Sequence, residues 1–416
     1  MPQNPGGDRG LGHTPRLVTL GADRLLETPE EILGPFARGA RVGLVTNDGA
    51  RAGIQEPDRG EREFSRVALL RAGVPLVRLF SPEHGLSAST PDGLAVPHGT
   101  DRRTGLPVTS LYGPNLGPKP DALEDLELIL VDLQDVGARF YTYLWTLSHV
   151  MESCAEAEIP LWVLDRPNPL GGRREWVEGL IPLPEAPSTF LGRWPIPIRH
   201  CLTLGELALL LRNEMKLDVV VNVVAMEGWS RDLFWPDTGL PFHPPSPGIP
   251  SYQSALLYPG LALLEATNVS EGRGTQLAFQ WLGAPWMDGQ EMAAALNDAG
   301  QPGVRAHSHT LETPNHSAPC PGILLEVTDA RRLRPVALGL RLLSLLGSLW
   351  RNQFLWTPYP TAVNPGGSGH LLRLLARSDV VERLERTPES VDDRTIEGWT
   401  RSPGWWTRAR PHLLYE

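Results

Sequence analysis

Cysteine is scarce. Cys154, Cys201 and Cys320 are the only three in 416 residues, and they lie far apart without metal-ligand or redox spacing, so a disulfide framework is excluded. No block of basic residues stands out. With 38 basic against 48 acidic residues and a net charge of −10, a nucleic-acid backbone is disfavoured as a partner. No stretch is long and apolar enough to insert into a membrane. Met1 to Leu26 lacks the unbroken apolar core of a signal peptide, so the expected compartment is the cytoplasm. There is no G-x-G-x-x-G after the first strand and no G-x-x-x-x-G-K-[ST], which disfavours a dinucleotide or nucleoside triphosphate, and no cofactor is implied. Repeats and low-complexity segments are absent too.

What is present is a soluble globular composition, with 42 glycines and 41 prolines spread through loops. Thirteen tryptophans against nine phenylalanines are compatible with sugar stacking, although most tryptophans in any protein are core residues. The length favours two domains. The clearest segment is Leu126–Leu147. Leu128–Val131 is a continuous apolar run, as a strand buried on both faces requires, and ends in Asp132, Gln134 and Asp135. A helix is expected immediately after, with Phe140, Leu144, Leu147, Met151 and Cys154 on one face.

Further strands are expected at Arg41–Thr46, Pro75–Phe80, Pro107–Leu111, Ile159–Leu164 and Val219–Val224, with helices between them. Thr28 with Glu31, and Thr203 with Glu206, read as capping boxes. This alternation predicts an α/β fold, a Rossmann-like, mostly parallel sheet with helices on its faces. The proline-crowded segment Trp235–Pro259 marks the boundary region. The expected division is a loose arm over 1–14, a Rossmann-like domain over 15–260 and a smaller α+β domain over 261–416. The second domain takes a helix at Gly289–Ala299, a strand at Gly322–Val327 and a helix at Pro335–Trp350, and the active site is expected in the cleft between the domains.

Open α/β sheets bind ligands at the carboxyl ends of their strands. Four strands here end in polar residues: Asn47; Glu83 with His84; Asp132, Gln134 and Asp135; and Asp165, Arg166 and Asn168. A turn has no need of the glutamate in Pro82-Glu83-His84-Gly85, which makes Glu83 the leading catalytic candidate. Arg139, Arg166 and Arg273 suit an anionic substrate group, or else salt bridges to neighbouring acids. Tyr141 and Tyr143 fall on different faces of the expected helix, so one of them reaches a site. The Gly-rich end of Thr267–Thr275 offers Glu271, Arg273 and Thr275, with Gly272 and Gly274 permitting close backbone approach to a ligand. Glu83, His84, Asp132, Asp135 and His200 lack the tight spacing of a metal motif, and no metal is expected.

Taken together, SPEHG (81–85), DLQDVGARFYTY (132–143), LDRPNPLGG (164–172), VEG (177–179) and TNVSEGRGT (267–275) resemble the NamZ-like, or YbbC-like, exo-β-N-acetylmuramidases, in order from about Arg41 to the carboxyl terminus. The resemblance implies a glycoside hydrolase that releases N-acetylmuramic acid from the non-reducing end of peptidoglycan-derived saccharides. It also implies a Rossmann-like domain plus a smaller carboxyl-terminal domain. Glu83 matches the family's Pro-Glu-His-Gly glutamate, and Glu178 and Glu271 are rivals for a second carboxylate. One departure is Pro245-Ser246-Pro247-Gly248, where the family has Pro-Ser-Pro-Asn.

Such chemistry needs a proton for the leaving oxygen and support for an oxocarbenium-like transition state. Glu83 is expected to be the general acid. Asp132, Asp135, Glu178 or Glu271 would activate water or attack the sugar, unless the 2-acetamido group serves as internal nucleophile. One of the three arginines would hold the lactyl carboxylate. The alternatives are a metal-dependent ester or phosphate hydrolase and a non-catalytic muramyl-sugar binding protein.

Overall fold

The computed structural model describes residues 18–53, 62–183, 189–314 and 318–416. The expected amino-terminal arm lies outside them. Strands β1 (Val42–Thr46), β2 (Leu76–Ser81), β3 (Gly99–Thr100), β4 (Pro107–Ser110), β5 (Leu128–Asp132), β6 (Leu161–Leu164) and β7 (Val221–Val224) form one sheet in the order β3-β4-β2-β1-β5-β6-β7. All pairs are parallel except β3 with β4 at the edge. Without that edge strand, the order is that of a Rossmann sheet, with its topological switch between β1 and β5. β1 and β5 are buried along their whole length, because helices cover both faces and an apolar run can satisfy both.

The strands fall within a residue or two of the expected positions. Helix onset after β5 does not. Residues 133–142 form an irregular loop, and α1 begins only at Tyr143 and runs to Glu156. Asp135 Oδ2 accepts the Gly137 N–H at 2.7 Å, and Gly137 has φ +79°, where a Cβ would lie 2.4 Å from Asn168 Oδ1. This turn diverts the chain before it can coil, so Phe140 and Tyr141 precede the helix. Thr28 makes no side-chain cap. The Thr203–Glu206 capping box does form, opening α2 (Leu204–Glu214).

The carboxyl-terminal part holds α3 (Tyr252–Leu261), an antiparallel three-stranded sheet of Trp281–Gly283, Gly322–Val327 and Val304–Ser308, α4 (Pro335–Leu349) and the short α5 (His370–Leu375). One apolar core runs from α1 through α3 into α4. A Cβ at Gly260 would lie 1.9 Å from the Pro335 carbonyl oxygen, so glycine is what lets α3 and α4 touch backbone to backbone. The chain end returns to the large sheet, where the Tyr415 hydroxyl donates to Asp165 at 2.6 Å.

Candidate active site

β2 ends in a tight turn, with Gly85 N–H donating to the Pro82 carbonyl and with His84 and Gly85 at φ +69° and +74°. His84 Nδ1 lies 2.9 Å from the Thr90 carbonyl oxygen, which stabilises a conformation that a residue other than glycine rarely adopts. The turn aims Glu83 into a cleft between the carboxyl edge of the sheet and the carboxyl-terminal part of the chain. The cleft encloses about 750 Å³ of empty space, part of it open to solvent.

Glu83 is held at both oxygens, by the Gly93 N–H at 2.8 Å and the Thr142 hydroxyl at 2.6 Å. Gly93, at φ +71°, is pressed so closely on Thr361 that a Cβ would lie 2.9 Å from its Cγ2. Burial and the neighbouring Glu83 charge push the Tyr112 hydroxyl far above its ordinary range, so it stays a proton donor beside the carboxylate. Asp92 also faces the cavity. Burial opposes its ionisation, but Arg273 and the Tyr359 hydroxyl outweigh burial and hold the carboxyl below its usual range. A third carboxylate, Glu265, has both oxygens engaged, one by Arg273 and the other by His370 Nε2 at 2.9 Å.

Of the residues singled out in the sequence, Glu83, His84, Tyr141 and Arg273 line the cavity. Arg273 does not offer a free cation there, because it pairs with Asp92 at 3.1 Å, Glu271 at 3.0 Å and Glu265. Glu271 sits outside the cavity, in an adjoining groove behind Arg273. Gly272 and Gly274 take φ +76° and +83° to pack the turn against Leu277 and Pro314, and Thr275 closes it by donating to the Gly272 carbonyl at 2.7 Å.

The structure places the remaining candidates outside the cavity. Asp132 and Arg166 form a buried two-point ion pair at 2.5 and 2.9 Å. Asp165 receives Thr203, Gly205 and Tyr415. Asn168 and Gln134 stitch loops together through backbone carbonyls. Asn47 donates to Tyr143 and to the Pro245 carbonyl. Asp135 Oδ2 stands 3.7 Å from His200 Nε2, yet burial pushes the acid up to about 7 and the imidazole down to about 3, so this is not a charged pair at neutral pH. Arg139 is fully buried and donates to the carbonyls of Leu180, Ile196 and Leu374. Its work is to tie the end of α5 to the sheet.

Glu178 is fully buried, and its Oε1 accepts the Ala337 N–H at 2.7 Å in the first turn of α4. A carboxylate there satisfies a free helix donor and the helix dipole. Glu178→Gln is therefore expected to keep turnover within a few-fold of wild type while lowering stability by about 1–2 kcal/mol, measured by urea unfolding beside steady-state kinetics.

Asp92, Thr142, Glu265 and Arg373 also line the cavity, and local sequence does not single them out. Asp92 reads as an ordinary Asp-Gly turn. Glu265 did leave a trace, a lone acid inside the apolar run Leu261–Ala266. At the departure Gly248, a Cβ would lie 2.7 Å from Arg273 Nη1, so the guanidinium packs directly against the glycine. Tryptophan is absent from the cavity's described lining, whose rings belong to tyrosines, phenylalanines and two histidines. Trp145, Trp281 and Trp405 are instead fully buried. Among the described residues, no group of three or more His, Cys, Asp or Glu is disposed to hold a metal ion, and no helix is long and apolar enough to cross a membrane.

Residues 42–253 match the family model "Exo-beta-N-acetylmuramidase NamZ, N-terminal", and residues 256–415 match "Exo-beta-N-acetylmuramidase NamZ, C-terminal". Peptidoglycan beta-N-acetylmuramidase NamZ of Bacillus subtilis (strain 168) is 37% identical over 377 residues, spanning 90% of this chain and 88% of that protein. Two crystal structures of DUF1343 family proteins from Bacteroides fragilis NCTC 9343 are similar. One is 28% identical with a TM-score of 0.80, the other 24% identical with a TM-score of 0.65, and each comparison covers 96% of this chain and 99% of that one. The second likeness concerns the fold alone. With both family models matched in order along a Rossmann-ordered sheet whose edge presents Glu83 to the cleft, and with a 37% identical relative over 90% of the chain, the chain belongs to the NamZ family of exo-β-N-acetylmuramidases.

Proposed function

We propose that this cleft cuts a terminal N-acetylmuramic acid from a peptidoglycan-derived saccharide, with Glu83 as the proton donor to the leaving oxygen. The observation that carries the reading is a carboxyl group fixed at both oxygens in the wall of the cleft, with a second carboxylate, Asp92, facing the same space. Glycoside hydrolysis needs such a pair. Asp92 is the better partner than Glu178 or Glu271, which do not line the cavity. Held as an anion by Arg273 and Tyr359, Asp92 supplies negative charge beside the oxocarbenium-like transition state. Tyr112, Tyr141 and Tyr258 give the sugar faces to lie against.

The test is nitrophenol release from a chromogenic β-N-acetylmuramide beside the matching β-N-acetylglucosaminide, with and without chelator. Cleavage of the muramide alone, indifferent to chelator, is expected. Chelator-sensitive cleavage, or binding of muramyl sugars without turnover, would overturn the assignment.

A further inference from the structure

We propose that Arg373 recognises the lactyl carboxylate that distinguishes N-acetylmuramic acid from N-acetylglucosamine; this rests on the glycosidase reading of the cleft. A cavity lined by Glu83, Asp92 and Glu265 repels an anionic sugar, so an anionic substrate needs a cation whose charge is not already taken. Arg273 is committed to three carboxylates. His370 is committed to Glu265 and lies stacked under the Tyr359 ring at 4.6 Å. Arg166 and Arg139 are elsewhere, bonded to Asp132 and to backbone carbonyls. Arg373 differs from all of these. It lines the cavity, is half-buried, and has no ion pair, side-chain hydrogen bond or ring contact among the described residues.

Its position suits the task. Arg373 stands on α5, on the carboxyl-terminal side of the cleft, whereas Glu83 and Asp92 come from the sheet side. The end of α5 is anchored by the Arg139 guanidinium on the Leu374 carbonyl, so the short helix presents Arg373 from a fixed base. Phe190, Leu191 and Val363 line the same cavity, giving the lactyl methyl apolar contact and keeping the charge poorly screened. A guanidinium fork matches a carboxylate with two parallel N–H donors, which a neutral 3-hydroxyl cannot use in the same way. Arg373 also borders an outer groove formed with Thr189, Ser368 and Leu372, so it stands where the cavity opens.

The test is calorimetric binding of free N-acetylmuramic acid and free N-acetylglucosamine to Glu83→Gln, and to the same protein carrying Arg373→Ala or Arg373→Lys. Arg373→Ala is expected to weaken N-acetylmuramic acid by about 10- to 100-fold and to leave N-acetylglucosamine unchanged, with Arg373→Lys restoring part of the loss. A preference for N-acetylmuramic acid that survives Arg373→Ala would overturn the proposal, as would an equal loss for both sugars, the mark of a merely structural role. Wild-type hydrolysis of the chromogenic muramide is measured separately. Its absence sinks the glycosidase reading, while the binding series still decides for or against Arg373.

Discussion

Glu83→Gln is expected to lower kcat on a chromogenic β-N-acetylmuramide by about 10²- to 10⁴-fold with little change in thermal midpoint. Glutamine has the same shape and retains an acceptor for the Gly93 N–H or the Thr142 hydroxyl, so the turn after β2 should survive. What is lost is the transferable proton. A leaving group that needs no protonation, such as a dinitrophenolate, should recover much of the deficit, because general-acid assistance matters less as the leaving oxygen becomes a weaker base. Near wild-type turnover by folded Glu83→Gln would remove Glu83 from the mechanism, and the turn that presents it would then need another explanation.

Arg273→Ala is expected to be the most damaging single change to the cleft, costing about 3–5 kcal/mol of stability as well as activity. One guanidinium, also 4.9 Å from the Phe279 ring, serves Asp92, Glu265 and Glu271 at once. Removing it leaves those acids near one another in a poorly solvated place with no cation between them. Burial already pushes Glu271 upward, and Arg273 only partly offsets this. The pH dependence follows with a definite sign. Asp92 has a folded pKa below its unfolded value of 3.8, so its stabilising contribution is present above that unfolded value and is lost as pH falls through the folded one. The gap between wild type and Arg273→Ala should therefore be wide at pH 7 and shrink as pH falls below the unfolded value of 3.8. Urea unfolding of both proteins across that range checks it, and a gap independent of pH would mean that Arg273 acts by packing alone.

The sequence by itself determined the frame of this protein. Runs such as Leu128–Val131 are apolar on both faces, and only a covered parallel strand accommodates that. Alternation with helical periodicity implied the sheet, and the matched motifs led to the family. The turn at Pro82–Gly85 could be read as a site because glutamate has no conformational reason to be there. Tertiary structure alone decided which polar residues meet. Glu178, Asp135 and Arg139 looked like site residues, yet one holds the start of α4, one turns a loop and one anchors α5. Glu265 and Arg373 come from the far half of the chain and meet Glu83 across about 180 and 290 residues of separation. The physical reason is range. Periodicity and turn chemistry are local and write themselves into neighbouring residues, whereas the charge balance of a cleft is struck between segments that become neighbours only on folding, after Gly260 lets α3 and α4 close on each other.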